Sequence, residues 1–360
     1  MNKDEYQFNG FTYSIDYEKD KGVNIFNNKK RPEYLFKFYS LSKFSVDAFT
    51  NNYLYASHPF ELNDTLDSSK FLLIANEKLE FELYEKLIGD ALSKEELEAL
   101  YLKDTDGKRS LCKEYIEMHY DISTNLFGVI SMTAKENNIL MWPHYTQEKG
   151  FQVKFKTEVL ENSIKNKLKG NEEYLGAHPI NYCNRLCPIN VSPYRTMHIP
   201  IFYITNIKSN KWEYEDEWRF IVGKQNMGVP YSKLGLHPRK DYHVDKKNRY
   251  IFYDKNTVEE ITVGKNFFNG REFEIDWLNE NTVKVKPVKT ESNWEYENQI
   301  ILLDYVSKNL SDNFYHCGTK YEIENEELVV VRTKERMDIK KLEDGSYLLT
   351  RTDKVIIFMD

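Results

Sequence analysis

The pattern of apolar and polar residues predicts a series of short strands along the chain. Residues 151–155 alternate between the two kinds with period two, as expected for a strand with one buried face. Phe8, Phe11 and Tyr13 alternate within a polar N-terminal stretch, which indicates an edge hairpin. Further strand-like runs cover residues 35–39, 53–56, 126–131, 217–222, 258–263 and 283–288.

Helical periodicity is strongest over residues 77–124, where Leu79, Leu83 and Leu87 fall on one face. Ser93 and Glu96 in that stretch have the spacing of a capping box. Residues 178–204 show no regular pattern and are expected to be irregular. Further helices are predicted over residues 43–52, 157–169, 267–280 and 296–310, with a short apolar one, interrupted by a proline, over 139–145.

Strands and helices that do not alternate regularly favour an α+β fold over a doubly wound sheet. We therefore predict a mixed, mostly antiparallel sheet core with a helical cover, plus a small C-terminal β-rich module. The pattern changes after Lys289, where one helix precedes three strand-like runs. The predicted division is an N-terminal extension (1–33), a core domain (34–290) and a C-terminal helix plus β-strand module (291–360).

Composition places the chain among globular proteins, with 41% hydrophobic and 30% charged residues in 360. The net charge of −7 is spread along the chain in mixed sign, so a large phosphate-binding surface is not expected. The start has no apolar signal region and no long apolar run follows, which predicts neither secretion nor a membrane span. Four scattered cysteines indicate free thiols in a reducing compartment, so we expect a cytoplasmic location.

The first candidate site combines Lys37, Tyr39 and Ser40 on an early strand with Asn63 and Asp64 in a polar turn. Polar residues just after strands commonly line a site, because strand ends are rigid and turns expose side chains. Asn-Asp pairs are also frequent in turns simply because they hydrogen-bond their own backbone. The sequence is compatible with both interpretations.

The second candidate is the segment from residue 138 to 145, followed by Gly150. Trp142 and Tyr145 are three residues apart and so share one helical face, with His144 between them. Two aromatic planes beside an imidazole can hold a flat ring by stacking. The alternative, which composition alone favours, is a core aromatic cluster with His144 bonded to a backbone carbonyl.

The third candidate, at residues 211–219, is the most specific local signal in the sequence. If this segment is extended, Glu213, Glu215, Glu217 and Arg219 share one face and the Trp and Tyr residues share the other. Crowded carboxylates repel one another, so a cation, a ligand or Arg219 must compensate. The alternative is a solvated charged face over a buried, Trp-rich one.

Several common motifs are missing from the sequence. It contains no GxxxxGK[ST], GxGxxG or HExxH motif and no nucleophile elbow, which disfavours P-loop NTPases, Rossmann enzymes, zincins and α/β-hydrolases. His178, Cys183, Cys187 and His198 lack the spacing of a zinc finger or ribbon. We therefore predict no metal site at these residues.

Taken together and in this order, the three candidate sites resemble a bacterial family catalogued as domain of unknown function 2971. Its members combine an opening Lys/Arg-Tyr-Ser-like strand, an Asn-Asp turn, a Met-Trp-x-His-Tyr segment followed by Gly, and a Trp-x-Tyr-Glu-x-Glu-Trp-Arg block. The resemblance covers about residues 34–290. The chain departs from the family at Thr65, where a proline commonly follows the Asn-Asp pair.

The same layout is similar to that of mono-ADP-ribosyltransferases, which use NAD as a substrate. The resemblance implies that Glu217 and Tyr145 are catalytic, with Tyr145 stacked on nicotinamide and Lys37 near ribose or phosphate. It implies a cytoplasmic bacterial effector, a toxin or a phage-defence protein, that modifies an unknown protein or nucleic acid. The implied NAD-binding residues are Lys37, Tyr39, Ser40, Asn63, Asp64, Trp142, His144, Glu215 and Arg219.

Two other functions remain open on the sequence. One is a non-catalytic module that binds a nucleotide or a partner, and a regulatory partner is expected at the C-terminal module. The other is a nuclease in which Asp64, Asp67, Glu215 and Glu217 surround Mg²⁺. On the transferase interpretation the candidate residues should line one concave pocket, and Arg219 should pair with an acidic residue of the core.

Overall fold

The computed structural model describes residues 3–19, 22–75, 80–88, 92–103, 110–225, 227–230, 243–244, 246–324 and 326–358. The helices are α1 (Lys43–Thr50), α2 (Phe81–Ile88), α3 (Lys94–Lys103), α4 (Ser110–Leu126), α5 (Thr157–Lys167), α6 (His198–Asn206) and α7 (Tyr296–Asn309). The strands are β1 (Lys3–Phe8), β2 (Phe11–Asp16), β3 (Asn24–Phe26), β4 (Tyr34–Tyr39), β5 (Tyr53–Tyr55), β6 (Leu73–Ile74), β7 (Phe127–Thr133), β8 (Phe151–Lys156), β9 (Glu173–Pro179), β10 (Asn181–Cys183), β11 (Ile189–Asn190), β12 (Ile207–Ser209), β13 (Glu217–Gly223), β14 (Val229–Pro230), β15 (His243–Val244), β16 (Tyr250–Phe252), β17 (Val258–Val263), β18 (Phe273–Trp277), β19 (Thr282–Pro287), β20 (Phe314–Glu324), β21 (Glu327–Lys341) and β22 (Tyr347–Phe358).

The chain forms two compact units, each assembled from three separate stretches of sequence. The first unit contains Met1–Arg31, Tyr55–Ser131 and Leu168–Tyr250. The second contains Pro32–Leu54, Met132–Lys167 and Ile251–Asp360. The domain boundaries predicted near residues 33 and 290 stay predictions, because they concern independent folding, which truncated chains would test.

The N-terminal residues of the first unit form the hairpin that the sequence predicts. β1 and β2 pair antiparallel with Phe8 opposite Phe11, and β2 also pairs with β3. Asn9 and Gly10 both have positive φ, 48° and 78°, as a two-residue turn between twisted strands requires. Tyr13 on β2 is fully buried in the core of this unit, so these residues are part of that core.

Helix α6 lies at the centre of the first unit, where the sequence pattern predicted irregular structure over residues 178–204. That prediction is wrong for β10 and β11, which lie within the stretch, and for β9 and α6, which overlap its two ends. All residues of α6 after His198 are buried, so the helix has no polar face and therefore no amphipathic period to detect. Beside it, β13 pairs antiparallel with β9.

The second unit contains a large mixed sheet. Its strands follow the order β18-β19-β22-β21-β20-β17-β8-β4, and β4 is joined to the end of β7 through Phe36 and Thr133. The pairings are antiparallel except for that of β17 with β20. An α+β fold with a mixed, mostly antiparallel sheet is therefore confirmed.

The expectation of a small C-terminal β-rich module implied a separate sheet. The C-terminal strands do not form one. Ile261 of β17 lies opposite Phe314 of β20, and Val283 of β19 lies opposite Leu349 of β22. The strands within residues 291–360 are therefore continuous with the sheet of the second unit.

Two further helical predictions are changed by the structure. The helix predicted over residues 267–280 is wrong, because Phe273–Trp277 is the strand β18, paired with β19. The stretch from residue 77 onward contains the helices α2, α3 and α4, while residues 77–79 lie outside the described residues. The capping box before α3 is confirmed, since Ser93 and Glu96 exchange backbone-to-side-chain hydrogen bonds of 2.9 and 3.3 Å.

Candidate functional site: a buried cluster of carboxylates and cations

A cluster of five buried charged side chains in the first unit contains the acidic block predicted from the sequence. Its members are Asp67, Lys208, Glu215, Glu217 and Arg219, which we call the charged cluster. Each side chain is at most 5% exposed. Ionised groups this deeply buried are stable only when they are paired and hydrogen-bonded, so their contacts decide what the cluster can do.

The backbone brings Glu215 and Glu217 together by a route that differs from the predicted extended segment. Asn210–Glu215 is a short 3₁₀ helix, and Asp216 follows in the left-handed conformation with φ of 41°. β13 then begins at Glu217. The prediction that Glu213 shares a face with the other acidic residues is wrong, since Glu213 is exposed on the 3₁₀ helix while Glu215 is buried.

Lys208 bridges these two glutamates from the neighbouring strand β12. Its ammonium donates to Glu215 Oε2 at 2.7 Å and to Glu217 Oε2 at 3.0 Å. The same Nζ lies 4.9 Å from the centre of the Trp212 ring, within the range of a cation–π contact. β12 pairs with β10, whose Tyr182 hydroxyl accepts a hydrogen bond from the backbone N–H of Glu217 at 2.9 Å.

Arg219 connects the glutamates to the turn that carries the Asn-Asp pair. Its Nε donates to Glu217 Oε1 at 2.7 Å, and its two terminal nitrogens donate to the carboxylate of Asp67, one of them at 2.8 Å. One of these nitrogens also donates to the carbonyl oxygen of Thr205 at 2.7 Å. The prediction that Arg219 pairs with an acidic residue of the core is confirmed.

The electrostatics keep Glu217, Arg219 and Lys208 ionised. Burial is the largest influence on Glu217 and opposes its charge, yet Arg219 and Lys208 outweigh it and lower the pKa of Glu217 to about 2. Burial also works against the charges of Arg219 and Lys208, but the surrounding carboxylates raise the pKa of both. Burial beside Glu217 raises the pKa of the Tyr182 hydroxyl, which stays protonated.

Asn63 and Asp64 themselves form a local turn outside this cluster. Asp64 accepts a hydrogen bond from the backbone N–H of Leu66 at 3.0 Å, and its carbonyl accepts one from Asp67 at 3.1 Å. Asn63 is exposed and Asp64 is partly exposed. The turn thus places Asp67 against Arg219, and the self-capping interpretation of the Asn-Asp pair describes Asp64 correctly.

The Met-Trp-x-His-Tyr segment belongs to the second unit and divides its side chains between core and surface. Trp142 is fully buried, donates from Nε1 to Asn137 Oδ1 at 2.6 Å, and meets Phe38 edge-on at 5.2 Å between ring centres. The core interpretation is therefore confirmed for Trp142. His144 is exposed and Tyr145 is partly exposed.

The backbone of this segment is unusual. Trp142–Thr146 is a π-helical turn, a rare form that occurs frequently at functional sites. Gln147 and Glu148 follow it in the left-handed region, with φ of 53° and 60°. A non-glycine residue in that region has a strained backbone, and such strain is common at functional sites. Glu148 is fixed by Arg332, one of whose nitrogens donates to it at 3.1 Å.

Lys37, Tyr39 and Ser40 also lie in the second unit, at the end of β4. The Lys37 ammonium is 5.7 Å from the centre of the Tyr39 ring, which stacks on Phe151 at 5.0 Å. Within the described part of the chain, the buried Tyr39 hydroxyl has no hydrogen-bond partner. Burial raises the pKa of that hydroxyl. The Ser40 hydroxyl is exposed, 3.3 Å from that of Ser45.

The predicted site residues are therefore divided between the two units. Five lie in the first unit and six in the second, and their convergence on a single pocket stays a prediction. Sequence reasoning missed Lys208 and named Asp67 only as a metal ligand. The excess of acidic residues at 213–217 was the available signal for a buried cation, but nothing in the sequence pointed to Lys208 in particular. In the first unit are Asn63, Asp64, Glu215, Glu217 and Arg219; in the second are Lys37, Tyr39, Ser40, Trp142, His144 and Tyr145.

Comparison with known families matches residues 141–220 to one described as "Protein of unknown function (DUF2971)". The resemblance predicted from the sequence is confirmed over these residues. The DUF2971 segment contains the π-helical turn and four members of the charged cluster, and only Asp67 lies outside it. In comparisons with curated proteins and with solved structures, no protein matched the chain.

Within the described residues, no group of three or more His, Cys, Asp or Glu side chains is arranged to hold a metal ion. Among the described helices, none is both long and apolar enough to cross a bilayer. Cys183, Cys187 and Cys317 are free thiols, and the side chain of Cys112 lies outside the described residues.

Proposed function

We propose that the chain is an NAD-dependent ADP-ribosyltransferase-like effector in which Glu217 stabilises the developing ribosyl cation. The observation that carries this proposal is the state of Glu217 at the start of β13. It is ionised, with a pKa lowered to about 2, and it lies two residues from a second buried glutamate, Glu215. A carboxylate fixed in this way is preorganised to stabilise positive charge.

The proposed reaction requires such a group. The bond between nicotinamide and C1′ of the ribose breaks, and nicotinamide leaves with the bonding electron pair. The oxocarbenium-like centre left behind is stabilised by a nearby carboxylate, as in glycoside hydrolysis. A nucleophile of the acceptor then bonds to C1′ and loses its proton. Because the interaction acts in a low-dielectric interior, it is stronger than the same contact in water.

The roles of the remaining residues follow from the similarity to mono-ADP-ribosyltransferases and are part of the same proposal. Tyr145 stacks on nicotinamide, and Lys37 and Tyr39 contact ribose or phosphate. Trp142 is buried and supports the π-helical turn that carries His144. Ser40, Asn63, Asp64, Glu215 and Arg219 complete the proposed NAD-binding set. The acceptor is a protein or nucleic acid of the cytoplasm, as expected for a toxin or a phage-defence protein.

A specific observation favours a second candidate, a non-catalytic module that binds a nucleotide or a partner. Both oxygens of Glu217 accept hydrogen bonds from cations, from Arg219 on one side and from Lys208 on the other. In that function the charged cluster only holds β12, β13 and the turn at Asp67 together. Catalysis requires Arg219 or Lys208 to release an oxygen of Glu217. The nuclease alternative requires Mg²⁺ to displace these same cations.

Nicotinamide release from NAD by the full-length protein separates the two candidates. Glu217→Gln keeps the size of the side chain and removes its charge. We expect a loss of turnover on the order of 100- to 1000-fold with a much smaller change in NAD binding. Glu213→Gln is the matched control, because Glu213 is an exposed carboxylate four residues away.

Rates should be compared below the melting temperature of each variant, since Glu217→Gln also removes one partner of a buried ion pair. Equal turnover by wild-type protein and Glu217→Gln would end the catalytic assignment. Binding of NAD by the wild-type protein without nicotinamide release would favour the binding module.

A further inference from the structure

The far end of β20 is an open sheet edge in the second unit. β17 pairs with β20 only along Phe314–His316, with Val263 opposite His316 as the last pair. β20 continues to Glu324, and its other side is paired with β21 over that whole length. No described strand pairs with residues 317–324 on the β17 side. Among the residues that the structure describes, the backbone groups along this edge are therefore free to pair with another strand.

One face of this extension is apolar and exposed. Tyr321 lies opposite Val330, and Ile323 lies opposite Leu328. Residues directly opposite one another in an antiparallel pair share a face, so the four side chains form one surface. Tyr321, Ile323 and Leu328 are 68%, 77% and 67% exposed. Contiguous apolar surfaces of this kind mark interaction sites.

The charges along the edge identify the strand that fits it. Lys320 and Glu322 flank Tyr321 and point to the face opposite to it. If a second copy of β20 pairs antiparallel about Tyr321, Lys320 of each copy lies opposite Glu322 of the other. Opposite charges at directly facing positions stabilise a pair of strands, and like charges destabilise it.

A lysine on an exposed edge ordinarily discourages pairing. Here Glu322 supplies the matching charge when the incoming strand has the same sequence and runs antiparallel. Such an interface is self-complementary about a two-fold axis, as a symmetric dimer requires.

We propose that the chain forms a symmetric homodimer by antiparallel pairing of β20 with β20 of a second copy, centred on Tyr321. The pairing continues the sheet of each second unit into that of the other copy. It brings the two Tyr321 side chains together and sets Ile323 of each copy opposite Thr319 of the other. This interface is independent of the proposed NAD chemistry.

Sedimentation equilibrium of the full-length protein tests the proposal with a charge-reversal set. Lys320→Glu places glutamate opposite glutamate twice in the dimer, and Glu322→Lys places lysine opposite lysine twice. Each should weaken dimerisation by about 10- to 100-fold. The double variant Lys320→Glu/Glu322→Lys restores both pairs with reversed polarity and should recover the wild-type dissociation constant.

Lys340→Glu is the matched control, because Lys340 is an exposed lysine of β21 that lies opposite Leu348, away from the open edge. It should leave the dissociation constant unchanged. Melting temperatures of all variants verify that the fold is intact. A wild-type protein that stays monomeric at high micromolar concentration would overturn the proposal. A dimer unaffected by either single reversal would do so as well, because its interface would lie elsewhere.

Discussion

Replacement of Asp67 by asparagine is the sharpest test of the charged cluster as a stabilising element. The two terminal nitrogens of Arg219 both donate to the Asp67 carboxylate, and both side chains are 1% exposed. Asparagine has the same shape, but one acceptor oxygen becomes an NH₂ donor that faces a guanidinium donor. The substitution therefore removes a charge and creates a donor–donor contact without leaving a cavity.

The magnitude follows from burial. Breaking a buried ion pair by removing one partner costs about 3–5 kcal/mol, because the other charge stays buried. Arg219 retains Glu217 and the carbonyl oxygen of Thr205, so we expect the lower end, about 3 kcal/mol. In a unit of this size, each kcal/mol lowers the melting temperature by about 2–4 °C, which gives a decrease of roughly 10 °C.

Differential scanning calorimetry of the full-length protein measures the effect against Asp216→Asn. Asp216 pairs with Lys29 at 3.5 Å, and these side chains are 34% and 40% exposed. Asparagine tolerates the left-handed backbone at this position, so the control tests an exposed pair alone. Its loss should cost less than about 1 kcal/mol. Similar decreases for the two variants would refute the account of the cluster.

Three further outcomes are expected. Because the pKa of Glu217 is lowered from 4.5 to about 2 in the folded chain, its ionised carboxylate contributes fully to stability above pH 4.5, and this contribution is lost as the pH falls towards 2. Glu217→Gln should therefore flatten the dependence of melting temperature on pH between pH 4.5 and 2. An unchanged dependence would contradict this prediction. Gly150→Ala should destabilise the fold by about 3 kcal/mol, because a Cβ would lie 2.0 Å from the carbonyl oxygen of Tyr39, whereas Gly270→Ala, which meets nothing within 4 Å, should be nearly neutral in the same thermal melts. Deletion of residues 290–360 should abolish cooperative melting of the second unit, since β20 and β22 pair with β17 and β19; a sharp transition in the truncated chain would instead support a domain boundary near residue 290.

The sequence alone was sufficient to predict elements that show a regular alternation of apolar and polar residues or a local capping motif. β8 alternates apolar and polar residues, and the capping box before α3 is a local signal with a local cause. Helix α6 was missed because a helix buried on every side has no amphipathic period. β18 was mistaken for a helix because Phe273, Ile275 and Trp277, which alternate with period two, also fit an apolar helical segment when the pairing with β19 is unknown.

The candidate site was predictable only where composition forces a contact. An arginine in an apolar strand beside acidic residues must be compensated, so the pairing of Arg219 could be predicted but its partner Asp67 could not. That partner is 152 residues away in sequence, and only the tertiary fold brings it close. The left-handed turn at Asp216 is equally invisible, because Asp adopts this conformation in a minority of cases. It changes which glutamates face Lys208.

A crystal structure of the full-length protein with a non-hydrolysable NAD analogue tests the central claim most directly. We predict that the ribose attached to nicotinamide lies within hydrogen-bonding distance of the Glu217 carboxylate. At least one hydrogen bond from Arg219 or Lys208 to that carboxylate should then be released. The analogue bound elsewhere, or no bound analogue at saturating concentration, with Glu217 still bonded to both cations, would contradict it and leave the charged cluster as a structural element alone.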